Sequence, residues 1–198
     1  MEELAGFRRE LDDTYGYYAQ VNAAIGFFRD DLDKKYGQLL GPDSPVRFGV
    51  GDANRPDASY RHERTYSEVV ADFSRHGRLQ AVHIRSVIVL IVALWEDTYR
   101  CRIANELQLE NKNDLKSDVF HDLNRYRQGI LHRYGTLGEE PKVLHYIRKG
   151  QEVLLTSDDM EQLFSTIVDE LNKIGEEHYG QNPDFRFKMP LHGHPSAG

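Results

Sequence analysis

Asn124-Arg125-Tyr126-Arg127-Gln128-Gly129-Ile130-Leu131-His132-Arg133-Tyr134 lies inside a run where Leu115, Val119, Leu123, Tyr126, Ile130 and Tyr134 recur at steps of three and four. That recurrence predicts a helix starting near Asn113 or Asp114 and closing at Gly135. The stretch 123–134 carries Arg125, Arg127, His132 and Arg133 and no carboxylate. Around it the balance is different. Residues 100–149 hold ten Lys/Arg against seven Asp/Glu, whereas the whole chain has a net charge of −7. An acidic protein with one basic spot is suited to handling a phosphate locally, and unsuited to coating nucleic acid.

Working outward, Leu4, Phe7, Leu11, Tyr15, Tyr18, Val21, Ile25, Phe28, Leu32, Tyr36 and Leu39 form the stripe of a long N-terminal helix that Gly41-Pro42 ends. Residues from 41 to about 65 mix Gly, Pro, Asp, Asn and Ser, which predicts a loop insertion. A helical pattern resumes near Tyr66, breaks at Gly77, and continues from about Leu79 to Leu107. The middle of that helix, Val87 to Leu94, is apolar on nearly every side, as expected of a helix surrounded by protein or lying in a subunit interface. After Pro141, the β-branched and aromatic residues of Val143–Ile147 and Glu152–Leu155 predict a small β-hairpin before the last helix. Thr156-Ser157-Asp158-Asp159 is a helix start, because its oxygens can accept from the free N–H groups of a first turn. Met160, Leu163, Phe164, Ile167, Leu171 and Ile174 supply that helix's apolar face. Together these elements predict an all-α four-helix bundle in one domain over 1–179, with a mobile tail over 180–198.

The 198 residues, 39% hydrophobic and 29% charged, suit one buried core and no disordered or repeat architecture. Cys101 is the single cysteine, so no intrachain disulfide can form, and a reducing cytoplasm is expected. The acidic Met1-Glu2-Glu3 start lacks the basic and apolar regions of a signal peptide. Val87–Trp95, the strongest apolar run, is shorter than the roughly 20 residues of a membrane span.

Arg127-Gln128-Gly129-Ile130-Leu131-His132 is an Arg-x4-His pattern with a polar residue directly after the arginine. It resembles the signature of the HEPN superfamily, an arginine, often a polar residue, and a histidine after four to six intervening positions. The resemblance covers residues 123–135 directly, with Leu94-Trp95-Glu96-Asp97 matching an acidic site on the preceding helix. Elsewhere it rests on helix order. It implies an all-helical bundle of HEPN type, a homodimer with both motif copies in one cleft, and metal-independent cutting of RNA. It further implies Arg127 and His132 as catalytic residues, Gln128, Arg125, Glu96 and Tyr134 in support, and Arg133 on the RNA. Many relatives act as toxins or defence effectors restrained by an antitoxin. In some toxins with Arg-x4-His-x-Tyr, a partner nucleotidyltransferase modifies the tyrosine, which here is Tyr134. No cofactor is implied. Gln128 departs from the more usual Asn, Asp or His, which keeps open a non-catalytic HEPN-like dimer that binds RNA or a protein.

Read as residues, the types fit the chemistry. Histidine titrates near neutrality and can take or give a proton, while arginine stays charged and matches phosphate oxygens with a planar fork. Arg125 stands seven residues before His132, within about 20° of the same helical face. Trp95, Tyr99 and Tyr126 are expected in a core rather than under RNA bases, and Tyr134 is read residue by residue as packing on Leu137. Glu96 is either a partner for His132 or an ordinary carboxylate. Gly129 inside a helix points to a close backbone approach or simple tolerance. A second Arg-x4-His pair, Arg78 with His83, is followed by apolar Leu79 and is set aside. His192-Gly193-His194 has no carboxylate or cysteine beside it and is read as tail, not a metal site.

Overall fold

The spacing of apolar residues does produce the long helices. The computed structural model describes residues 1–50 and 59–187. It is mostly helical, with one two-stranded antiparallel sheet. Helix α1 is Glu2–Tyr36, α2 is Tyr66–Phe73, and α3 is Arg78–Ala93. A π-helical segment, Leu94–Tyr99, joins α3 to α4 at Arg100–Glu106. Helices α5, Asp118–His132, and α6, Ser157–Tyr179, complete the set. At the start of α6 the Thr156 hydroxyl accepts from the Asp159 N–H while the Asp159 carboxylate accepts from the Thr156 N–H, the reciprocal cap its sequence predicts.

The π segment has a cause in the sequence. Ile91, Trp95, Tyr99 and Ile103 are spaced by fours, and on a regular α-helix each such step drifts about 40° around the axis. A wider π turn takes up the drift, so all four stay buried. Trp95 stacks on Phe120 of α5 at 3.9 Å, and Phe7 of α1 lies 5.5 Å from Trp95 and 5.2 Å from Tyr99. This cluster is the centre of the larger core.

Two compact units emerge, Met1–Gly16 with Ile84–Gly198, and Tyr17–His83. The second unit has its own small core of Leu32, Tyr66 and Val69. The segment read as a loop insertion builds part of that unit. Strand β1, Pro45–Val50, pairs antiparallel with β2, Ser59–Thr65, with an irregularity between Phe48 and Gly49. Arg47 and Glu63 pair across the strands at 2.6 Å. The fold thus has its small hairpin here and not before α6. Over 143–155 there is no strand, and Glu152 makes only an isolated bridge with Thr136. The N–H groups of Val143 and Leu144, which a ladder would need, donate instead to the Asp122 carboxylate.

Within the apolar run, Val87, Ile88, Ile91 and Val92 are buried by the chain itself, while Leu90 is 46% exposed. The wider stretch Tyr66–Glu106 is long and apolar enough to cross a membrane by length and composition, although its centre packs into this core. The tail also begins in an ordered way. Gly180 ends α6 with a left-handed φ of 65°. The Asn172 side chain then exchanges two hydrogen bonds with the Phe185 backbone, and Phe187 packs edge-on against Tyr15 at 4.8 Å. His192-Gly193-His194 lies outside the described residues.

Candidate active site

Helix α5 starts where the Ser117 hydroxyl accepts the Phe120 N–H. It buries Val119, Phe120, Asp122, Leu123, Tyr126 and Gly129. Its end is set by Tyr134 and Gly135, both left-handed at φ 54° and 85°. The Gly135 N–H reaches back to the Gly129 carbonyl at 2.9 Å and closes the last turn. The chain then folds back along one side of α5 through residues 135–155.

That return segment is held by the helix's own polar groups. Asp122, completely buried, accepts the N–H groups of Val143 at 2.7 Å and Leu144 at 3.1 Å. Tyr126, also buried, donates its hydroxyl to the Leu144 carbonyl, and burial pushes its phenol far above the ordinary range, so it remains a donor. Arg125 donates to the Glu140 carbonyl at 2.6 Å, reaches Asp122 at 3.3 Å, and pairs with Glu139 at 3.1 Å. Gly129 is required here. A Cβ at this position would sit 2.8 Å from the Thr136 carbonyl oxygen, so only glycine admits the returning backbone this close.

The acid-free appearance of 123–134 is therefore local to the linear sequence. Asp122 and Glu139 reach Arg125 from either side of it in the fold, and Arg125 thereby holds the returning segment. Glu96 is likewise engaged. Both its oxygens accept from Arg100 Nη1, at 2.9 and 3.0 Å, and it makes no hydrogen bond with His132. Trp95, Tyr99 and Tyr126 are in the core, as expected.

Elsewhere α5 is open, and the side chains of Gln128 and His132 are exposed and make no hydrogen bond or ion pair among the described residues. Arg127 is half-buried, with a single long hydrogen bond of 3.5 Å to Asn124 Oδ1 and no carboxylate partner. The Arg133 guanidinium lies against Gly138, where any Cβ would clash with it. Tyr134 is fully exposed and does not pack on Leu137, which is buried. Arg127 and His132 are five positions apart, about 140° around the axis, so one copy of the helix does not aim both at a single atom. Of the set-aside pair, His83 stacks on Tyr18 at 5.6 Å.

Sequence reasoning missed Asp122, His121 and Asn124. The signal for Asp122 was present, since an acid at the step between Val119, Leu123 and Tyr126 sits on the buried face and must find donors there. His121 and Asn124 border a polar cavity of about 120 Å³ between α5 and the π segment. Among the described residues no group of three His, Cys, Asp or Glu could hold a metal ion. Comparison with protein-family models, curated proteins and solved structures finds no match to this chain.

Proposed function

We propose that this chain is a metal-independent endoribonuclease, a helical bundle of HEPN type that works as a cytoplasmic homodimer. The observation that carries the reading is the state of Arg127 and His132. They are the cation and the proton carrier of the motif, His132 is exposed and Arg127 half-buried, and no carboxylate neutralises either among the described residues. The ribose 2′-oxygen forms a bond to the adjacent phosphorus while the bond from phosphorus to the 5′-oxygen breaks. One histidine takes the 2′-OH proton and another delivers a proton to the leaving oxygen, giving a 2′,3′-cyclic phosphate and a free 5′-hydroxyl. Arg127 holds the charge that builds on the phosphoryl oxygens. Two copies answer the 140° offset, because the His132 of one subunit can face the Arg127 of the other. Gln128 flanks the phosphate, and Arg133 adds positive charge along the RNA.

In this reading Tyr134 is a surface group open to a partner nucleotidyltransferase or antitoxin, supported by its full exposure at the turn that ends α5. The competing reading is a non-catalytic dimer that binds RNA or a protein, favoured by Gln128 in place of the more usual Asn, Asp or His.

The test incubates wild type and His132→Ala with single-stranded RNA and with its 2′-deoxy analogue, both in excess chelator. Wild type should cut only the RNA and leave cyclic phosphate ends, and the variant should be about 10²–10⁴-fold slower. Equal rates for the two proteins, or cutting of the deoxy analogue, would remove this mechanism. Binding of RNA without cutting would install the competing reading.

A further inference from the structure

The cavity between α5 and the π segment is lined by the polar Glu96, Arg100, Ser117, His121 and Asn124 and by the apolar Trp95, Leu115 and Phe120. Three properties decide what it can take. Its volume of about 120 Å³ is well below the roughly 300 Å³ at which pockets begin to hold whole cofactors, yet far above one water. It can take one flat polar ring. Its charge is closed: Arg100 gives Nη1 to both oxygens of Glu96 and Nε to the carbonyls of Lys112 and Leu115, so no cation is left for a phosphate. Its hydrogen-bonding capacity is open. Ser117 is engaged as the helix cap, but the His121 imidazole makes no hydrogen bond among the described residues, and the Asn124 side chain has only its 3.5 Å link to Arg127. A neutral, planar group with donors and acceptors on its edge matches all three properties, and a nucleobase is such a group.

Its position relative to the motif completes the argument. His121, Asn124, Gln128 and His132 fall within an arc of about 80° on α5, and Asn124 lies about 12 Å along the axis from His132. Asn124 also touches Arg127 at 3.5 Å, so a single strand whose phosphate is held by Arg127 brings a neighbouring base to this opening. We propose that the cavity is a base-recognition subsite for a nucleotide flanking the scissile phosphate, read by the Asn124 amide with His121 at the rim. This rests on the ribonuclease reading above. A side-chain amide presents a donor and an acceptor side by side, the arrangement that pairs with adenine, so adenine is the base selected.

The test digests a random-sequence RNA pool and maps every cut. Wild type should favour adenine by about tenfold at one fixed offset from the cut. Asn124→Asp retains the oxygen that accepts from Arg127 but turns the amide donor into an acceptor, which shifts the preference at that offset toward cytosine. Because the readout is a ratio among sites in one pool, a slower overall rate does not move it. Preference unchanged in both Asn124→Asp and His121→Ala, or no base preference in wild type, overturns the subsite and leaves the ribonuclease reading intact. If wild type cuts nothing, that reading falls, and a second measurement decides the subsite alone. Short deoxyoligonucleotides with one adenine or an abasic position are titrated by fluorescence anisotropy. About tenfold tighter binding of the adenine probe by wild type, lost in Asn124→Asp, supports the subsite, and equal affinities overturn it.

Discussion

Arg125 and Arg127 are two positions apart on one helix and meet opposite surroundings. Arg125 turns toward the returning chain, where Asp122, Glu139 and the Glu140 carbonyl hold it. Arg127 turns the other way and keeps one long contact to Asn124. The same contrast runs along α5. On the clamped side Asp122, Tyr126 and Gly129 are buried under residues 135–155, and on the open side His121, Gln128 and His132 are exposed. A basic residue in a motif is thus a functional candidate only on the side the fold leaves unneutralised.

The sharpest way to break this comparison is to remove its buried anion. Asp122→Ala leaves the Val143 and Leu144 N–H groups without their buried acceptor and removes one of the anions that hold Arg125, a loss of about 3–5 kcal/mol in urea unfolding. Arg127→Ala should unfold within about 1 kcal/mol of wild type, and under the proposed mechanism it abolishes RNA cleavage. If Arg127→Ala proves the more destabilised of the two, the assignment of sides is reversed.

Gly129→Ala tests how closely the clamp is fitted. The added methyl must displace the Thr136 carbonyl from 2.8 Å, at about 1–3 kcal/mol for such overpacking, against about 1 kcal/mol gained in helix preference. A net loss of about 1 kcal/mol is expected in thermal or urea melts, and a net gain would show that the returning segment is loosely held.

The smallest effect belongs to the turn between the two sides. Tyr134 is exposed at φ 54°, where a non-glycine residue carries about 1–2 kcal/mol of strain. Tyr134→Gly relieves this but frees the unfolded chain, so a stabilisation of about 0.5 kcal/mol is expected by urea titration. A loss of stability would mean that the Tyr134 ring makes contacts in solution.

Much of this was legible in one dimension. The three-and-four spacing defined α1, α3 and α6 and the body of α5, whose start lies at Asp118 and not near Asn113 because Ser117 caps it there, and the Thr156-Ser157-Asp158-Asp159 cap placed the start of α6 within one residue. The hairpin was misplaced because strand signals are local patterns, whereas a ladder needs a partner at matching register. Pro45–Val50 is short and set among Gly, Pro and Asp, and Ser59–Thr65 is mostly polar, so both look like loop, yet each has the other to pair with. Val143–Ile147 has the composition of a strand, but its N–H groups find a buried carboxylate first.

The sequence by itself determined which residues could carry the chemistry. Arg127, Gln128 and His132 stand at fixed angles on a helix whose buried face is written in its spacing, because backbone geometry converts residue number directly into direction. Only the tertiary structure decided which of the cations is free. Charge neutralisation depends on distance in space, and Asp122 and Glu139 reach Arg125 from either side of a stretch that contains no acid. The same holds for Glu96, committed to Arg100 by the turn they share, and for the cavity beside Asn124, which exists only where α5 and the π segment meet.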